Sequence, residues 1–137
     1  MGFKRNLEVF EIIEQVLFFS RYLKKENQKV TNVVFMGMGE PFLNYDNVLE
    51  SIRILNDKES FNLGARRISI STVGVEGGIT KLANENLEIN LAVSLHSADD
   101  ELRSKIIPAN KKYSLQKVLK EVDNYVKKTF DIRIEID

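Results

Sequence analysis

Apolar positions along this chain alternate between helical and extended spacing. They recur every three or four residues over 7–24, which predicts an amphipathic helix with Asn6 as its N-cap. The next apolar run, 31–36, is continuous and rich in β-branched residues, so we expect a strand that is buried on both faces. Asn44 is the predicted cap of a second helix.

The alternation continues to the last residue. Extended runs predict three more strands, and helical spacing or capping residues predict three more helices between them. The predicted strands span 67–71, 89–95 and 132–136, and the predicted helices cover 79–83, 100–106 and 115–126, the last with Ser114 as its cap.

Repeated β–α units of this length favour parallel strands. We therefore predict an α/β fold with a parallel sheet of about four βα units. No linker or shift in composition divides the chain, so residues 1–137 are expected to form a single unit. The pattern alone fits a small open sheet and a section of a larger barrel equally well.

Composition limits the functional classes. Twenty basic residues balance twenty acidic ones, which argues against a dedicated nucleic-acid-binding module but not against RNA as the partner of a larger protein. The absence of cysteine excludes disulfides and thiolate-bound metals within the chain. No apolar run is long enough to span a membrane and no signal peptide is evident, so we expect a soluble, cytoplasmic protein.

Candidate chemistry lies where the predicted strands end, since ligands of parallel α/β folds bind at the carboxyl ends of strands. Residues 37–41 (Gly-Met-Gly-Glu-Pro), 71–74 (Ser-Thr-Val-Gly) and 94–97 (Ser-Leu-His-Ser) follow three successive strands. A Gly-Glu step offers backbone amides and a carboxylate to a ligand that has both an anionic group and an ammonium. Ser94 and His96, two residues apart, are expected to project to the same side.

Each feature also has a simpler explanation. The glycines suit turns, Ser71 suits a helix cap, and a lone histidine is more often structural than functional. Only their convergence favours a common pocket around Glu40, Ser71 and His96. P-loop, histidine-zinc and G-x-S-x-G motifs are absent from the sequence.

Over nearly its whole length the sequence resembles the radical S-adenosylmethionine methyltransferases that modify adenosine in RNA. The nearest resemblance is to the dual-specificity enzymes that methylate carbon 2 of adenosine in 23S ribosomal RNA and transfer RNA. The matching motifs are 2–7, 34–41 with Asn44 and Asn47, 66–67, 71–74, 94–97 and 107–113.

The resemblance implies a partial (β/α)6 barrel that holds a [4Fe–4S] cluster. It implies that Gly39 and Glu40 bind the methionine end of S-adenosylmethionine, and that Ser71 and the run Ser94, Leu95, His96 supply further contacts. The partners it implies are 23S rRNA, tRNA and a reducing protein such as flavodoxin. Lys111 and Lys112 are candidate contacts to RNA phosphates.

The family's CxxxCxxC cluster loop and its later catalytic cysteines are absent from the chain. We therefore expect a middle section of the radical SAM core domain, four strands of six, that contains no catalytic residue and is inactive by itself. Unpaired sheet edges predict self-association. Two alternatives stay open: the related enzymes that methylate carbon 8 of ribosomal adenosine and give antibiotic resistance, and a non-catalytic α/β interaction module.

Overall fold

The computed structural model describes residues 3–129 and 134–136, without the side chains of Ala109 and 134–136. The helices are α1 (Val9–Lys24), α2 (Tyr45–Asn56), α3 (Gly78–Leu82), α4 (Asp100–Ile106) and α5 (Leu115–Lys128), and the strands are β1 (Val33–Phe35), β2 (Ile68–Thr72), β3 (Asn90–Val93) and β4 (Ile134–Ile136). Short 3-10 turns cover Pro41–Asn44, Ala65–Arg67 and Pro108–Lys111.

The strands form one sheet in the order β1-β2-β3-β4, and every neighbouring pair is parallel. Val33 pairs with Ile68, Ser71 with Ala92, and Leu91 with Ile134. The predicted α/β fold with a parallel sheet is therefore confirmed. Because the strands are parallel, their carboxyl ends meet along one edge. The first positions of the last predicted strand, 132 and 133, lie outside the described residues.

The main core lies on one face of the sheet. Ile68 and Ile70 of β2, and Leu91 and Val93 of β3, are almost fully buried against apolar residues of α2, α3 and α5. Each such aliphatic side chain contributes about 1.5–3 kcal/mol when it is fully buried. Since side chains alternate along a strand, Ser69, Ser71, Asn90 and Ala92 point to the opposite face.

The expectation that the first strand is buried on both faces is wrong. Val34 is 51% exposed and Met36, just after β1, is 63% exposed, whereas Val33 and Phe35 pack against the core. The physical reason is the alternation of side chains along the strand: Val33 and Phe35 face the core, so Val34 and Met36 point to the opposite face, which is open to solvent here. Within the described residues β1 pairs only with β2, so its backbone also has an open edge.

Asn6 is not the cap of α1. The helix begins two residues later, with Glu8 as N-cap, and the Glu8 amide donates to Glu11 Oε2 at 2.9 Å. Hydrogen bonds from Arg5 and then from the Glu8 amide lower the pKa of Glu11 to about 2. Asn6 Nδ2 instead donates to the Leu43 carbonyl (3.2 Å).

Asn44 does occupy the N-cap position of α2, as predicted, but its side chain does not cap the helix. Its Nδ2 donates to the Leu7 carbonyl at 2.9 Å, and Asn47 Nδ2 donates to the same carbonyl at 2.9 Å. Together with the Asn6 contact, these bonds tie the segment that leads into α1 to the segment that leads into α2. Such long-range contacts have no local sequence pattern.

Gly74, just after β2, is expected to tolerate no side chain. Its φ is +87°, and a Cβ added there would lie 2.5 Å from Val118 Cγ2. Gly74→Ala should lower the free energy of unfolding by about 2–4 kcal/mol, from left-handed strain and overpacking together. Urea denaturation measures the loss.

Gly64→Ala is the matched control, because Gly64 has a φ of −56° and an added Cβ would meet nothing within 4 Å. That variant should be as stable as the parent or gain up to about 1 kcal/mol. Equal stability of the two variants would contradict the close packing of α5 against the end of β2.

Candidate functional site

The loop after β1 exposes its backbone. Gly37 and Gly39 have φ angles of +115° and +98°, in the region that favours glycine, and both are exposed. A Cβ at either position would meet no atom within 4 Å. The glycines are therefore required by the backbone conformation and not by crowding, and the backbone here is open to a ligand.

Glu40, the residue after this loop, joins β1 to the end of β2. Its Oε1 accepts hydrogen bonds from the Phe42 amide (3.0 Å) and from Thr72 Oγ1 (2.8 Å), and its Oε2 accepts one from the Val73 amide (3.0 Å). A carboxylate can accept about four hydrogen bonds. The half-buried carboxylate thus has a structural role and keeps capacity on Oε2 for one more donor, such as an ammonium.

Ser71 and Ser94 meet at the ends of β2 and β3. Their hydroxyl oxygens are 3.1 Å apart, and the Ser94 amide donates to the Thr72 carbonyl at 2.9 Å. Ser71 lies on the sheet face opposite the core, whereas Thr72, which holds Glu40, lies on the core side. Glu40 and the serine pair therefore reach the carboxyl ends of the strands from opposite faces of the sheet.

His96 is exposed and has a φ of +57°. The prediction that Ser94 and His96 project to the same side requires strand geometry through residue 96. β3 ends at Val93, and His96 has a left-handed backbone instead. Leu95, between them, is half-buried against the core. The structure thus leaves the imidazole in solvent and places its backbone at a sharp turn.

Arg103 is the buried residue that sequence analysis missed. It lies in α4, is 0% exposed, and donates to three backbone carbonyls: Nε to Leu95 (3.1 Å), Nη2 to Val73 (2.7 Å) and Nη1 to Tyr113 (3.3 Å). Nη1 also donates to Asn110 Oδ1. Burial lowers the pKa of its guanidinium from an ordinary value that is far above neutrality.

Asp100 supports this cluster without contacting the guanidinium directly. Asn110 Nδ2 donates to Asp100 Oδ1 at 2.9 Å, and the Leu115 amide donates to the same oxygen at 3.0 Å. The two bonds, with a smaller effect of Arg103, hold the pKa of Asp100 below its usual range. The carboxylate therefore stays ionised and fixes the amide that faces Arg103.

A groove of about 1160 Å³ runs beside the open edge of β1. Gly39 and Glu40 belong to its lining, together with Phe19, Met36 and Met38. The predicted contacts Ser71, Ser94, Leu95 and His96 are not part of that lining. The structure therefore puts the predicted residues on neighbouring strand ends but in two groups: the β1 loop with Glu40, and the ends of β2 and β3.

Lys111 and Lys112 are both exposed. They follow Asn110, which bonds to Arg103, so they lie near the loop that contains His96. The Lys112 ammonium is 5.3 Å from the centre of the Tyr113 ring. Exposed lysine side chains are suited to phosphate contacts.

The residues of this chain do not fit an iron–sulfur cluster. The sequence has no cysteine, and the described residues include no group of three side chains that could hold a metal ion. The donor set does fit S-adenosylmethionine, because exposed backbone amides, a carboxylate with spare capacity and a hydroxyl pair match its carboxylate, ammonium and ribose.

Comparison with known proteins shows similarity to one family. Residues 3–136 match the model of the radical SAM superfamily. The chain is 50% identical over 129 residues to "Probable dual-specificity RNA methyltransferase RlmN" of Dictyoglomus turgidum and 46% identical over 129 residues to "Ribosomal RNA large subunit methyltransferase N" of Nitrosopumilus maritimus. These alignments cover 94% of this chain and 37% of each relative.

A solved structure agrees with the sequence relatives. The crystal structure of a radical SAM methyltransferase from Sphaerobacter thermophilus superposes with a TM-score of 0.95 at 40% identity, over 99% of this chain and 40% of the other. The chain thus spans just over a third of the length of the curated relatives it matches. The predicted resemblance to the RNA methyltransferases is confirmed.

Thr72 should be required for the position of Glu40. Its Oγ1 donates to Glu40 Oε1 and accepts from the Gly74 amide (3.0 Å). Thr72→Val keeps the shape but removes both bonds, so we expect the free energy of unfolding to fall by about 2–4 kcal/mol.

Thr72→Ser keeps the hydroxyl and loses one methyl group, so it should cost about 1 kcal/mol. Thermal and urea unfolding of the two variants measure the difference. A valine variant as stable as the serine variant would show that the hydroxyl does not hold the carboxylate.

Proposed function

The chain belongs to the radical SAM superfamily, and from this membership we propose that it is the S-adenosylmethionine-binding section of an RNA methyltransferase. The complete enzyme would methylate carbon 2 of adenosine in 23S rRNA and tRNA. The observation that supports this most directly is the match over residues 3–136 together with 46–50% identity to RNA methyltransferases. The geometry adds an open Gly-Met-Gly-Glu loop beside the end of β2.

In this proposal, two groups of residues hold the cofactor. Gly39 offers its backbone, and Glu40 offers the remaining acceptor capacity on Oε2, to the amino-acid end of the cofactor. Ser71 and Ser94 offer hydroxyls, while Leu95 and His96 offer the turn after β3. The cofactor would lie along the strand ends and connect the two groups.

S-adenosylmethionine supplies the activated methyl group when it is bound. Carbon 2 of an adenine ring is a poor nucleophile, so simple displacement from a sulfonium is not enough and the superfamily uses a cluster. Thiolates for that cluster have to come from outside these residues, since the chain has no cysteine. The task of this section is to bind and orient the cofactor.

Partners and location follow from the proposed reaction. RNA would approach the edge where Lys111 and Lys112 are exposed, and a reducing protein such as flavodoxin would serve the complete enzyme. Among the described residues, no helix combines the length and apolar character needed to cross a bilayer. An enzyme with ribosomal and transfer RNA as substrates would work in the cytoplasm.

The isolated chain should bind the cofactor weakly and in a manner that depends on Glu40. In NMR titrations with S-adenosylmethionine, we expect amide signals of Gly39, Ser94 and His96 to shift. Glu40→Gln replaces one carboxylate oxygen by a donor, so it should weaken binding about tenfold or more through loss of a charge-assisted hydrogen bond.

Glu50→Gln is the matched control, since Glu50 lies on the exposed side of α2 and pairs with Arg53 (3.7 Å). It should bind as the parent does. A parent chain that does not bind the cofactor at millimolar concentration would favour the non-catalytic interaction module.

Mass spectrometry of ribosomal RNA treated with the complete enzyme distinguishes methylation at carbon 2 from methylation at carbon 8.

The chain by itself should neither assemble a cluster nor methylate RNA. Anaerobic reconstitution with iron and sulfide should give no stoichiometric [4Fe–4S] absorbance, because thiolate ligands are missing. A relative that contains the CxxxCxxC loop is the positive control. A stoichiometric cluster on this chain would contradict the prediction.

Self-association is a further part of the proposal. The open edge of β1 lies beside exposed apolar residues, with Phe19 60%, Met36 63% and Met38 88% exposed. Such an edge and patch favour contact with a second chain. Multi-angle light scattering should show dimers or larger species whose fraction falls for Val34→Lys; a monomer at high concentration would contradict it.

A further inference from the structure

We propose that Arg103 is a positioning residue for the cofactor-binding edge: it fixes the peptides after β2 and β3 so that the His96 amide and the Glu40 carboxylate face the ligand. The inference rests on the proposed binding of S-adenosylmethionine. Three observations support it: the orientation of the Leu95–His96 peptide, the contacts of Val73, and the absence of a direct ion pair to the guanidinium among the described residues.

The first observation concerns the peptide between Leu95 and His96. The Leu95 carbonyl accepts a hydrogen bond from Arg103 Nε at 3.1 Å, so it points toward the buried guanidinium. In a planar trans peptide the next N–H points in the opposite direction. The His96 amide is thus directed away from the interior, and no acceptor for it occurs among the described residues.

The left-handed conformation of His96 is part of the same arrangement. A non-glycine residue at a φ of +57° is at a disadvantage unless its surroundings fix it. Arg103 supplies such a constraint on the preceding carbonyl. Loss of that bond should let the turn relax and should redirect the free N–H.

The second observation concerns Val73, whose two backbone groups have oppositely charged partners. Its amide donates to Glu40 Oε2 at 3.0 Å, and its carbonyl accepts from Arg103 Nη2 at 2.7 Å. One residue of backbone therefore separates the guanidinium from the carboxylate. Any displacement of Val73 changes the direction of Glu40 Oε2, the atom that has capacity for a further donor.

The third observation is the chemistry of the guanidinium site. Arg103 forms no ion pair with any carboxylate of the described residues, although it is fully buried. A buried charge is a costly way to gain stability, and apolar residues often serve as well or better. What arginine adds is a planar group of donors that reaches carbonyls of separate segments at once, which a single ammonium cannot reproduce.

The test uses the full chain with Arg103→Lys, which keeps the charge but not the planar donors. Without ligand, the NMR signals of the His96 and Gly74 amides should shift, while those of Ile52 in α2 stay unchanged. In titrations with S-adenosylmethionine, the dissociation constant should rise about tenfold. A binding loss in a variant whose core signals are native is not expected for a purely structural arginine.

Arg53→Lys is the matched control, because Arg53 is an exposed arginine at the far end of α2, paired with Glu85 at 2.9 Å. It should leave both the His96 signal and the affinity unchanged. If Arg103→Lys does not fold, Asn110→Ala takes its place: it removes the side-chain acceptor that orients Nη1, and this should loosen the guanidinium and its bonds to the Leu95 and Val73 carbonyls. That variant should bind a few times more weakly.

The outcomes separate this inference from the proposed function. Native affinity in a folded Arg103→Lys variant, or in Asn110→Ala where the lysine variant fails to fold, would overturn the positioning role alone. An unshifted His96 amide in a folded lysine variant would also overturn it. A parent chain that does not bind the cofactor would overturn both proposals.

Discussion

The backbone groups at the carboxyl ends of the parallel strands impose the main constraint on this structure. Beyond the last ladder bond each N–H and C=O needs another partner, and leaving one unpaired in the interior costs about 1–3 kcal/mol. At Val73 the partners are Glu40 for the amide and Arg103 for the carbonyl. The side chains that satisfy the ends of the sheet are therefore also those that shape its candidate binding edge.

This constraint explains why the site and the fold cannot be separated. Glu40 holds Thr72 and Val73, so a substitution there changes the end of β2 as well as the candidate ligand contact. Loss of affinity after such a change is informative only beside a measurement of stability. Tests of Thr72 and Glu40 therefore need a matched control variant. The test of Arg103 needs the backbone NMR signals of the ligand-free chain.

The elements of the fold follow from local pattern, and sequence predicts them well. The bounds of α4 agree with the prediction, and each described strand lies inside or within one residue of its predicted run. Regular spacing of apolar residues records burial on one face, which is a local property. The parallel order follows because each crossover contains a helix.

The remaining features depend on contacts between distant segments. Arg103 lies in a short helix among charged neighbours, where sequence predicts solvent exposure, and only the approach of Val73, Leu95 and Tyr113 buries it. Glu121 of α5 also depends on a distant segment. Its carboxylate accepts from the Gly77 amide (2.8 Å) and the Thr80 amide (3.0 Å) at the start of α3.

Family resemblance and geometry give different kinds of information about the candidate site. The resemblance selects Gly39, Glu40, Ser71, Ser94, Leu95 and His96. The geometry divides them into a loop beside the open edge of β1 and a turn at the ends of β2 and β3. A ligand that contacts both groups has to extend along the edge, as a nucleoside joined to an amino acid does.

That division also agrees with the proposed function, which assigns binding but no redox step to this section. The proposed binding groups are backbone amides, hydroxyls and one carboxylate, none of which changes oxidation state. These groups bind a ligand well only if they point in fixed directions. Fixed directions require that the strand ends do not move. A buried cation that bonds to carbonyls of three segments meets this requirement, because the segments cannot shift separately without losing a bond to it.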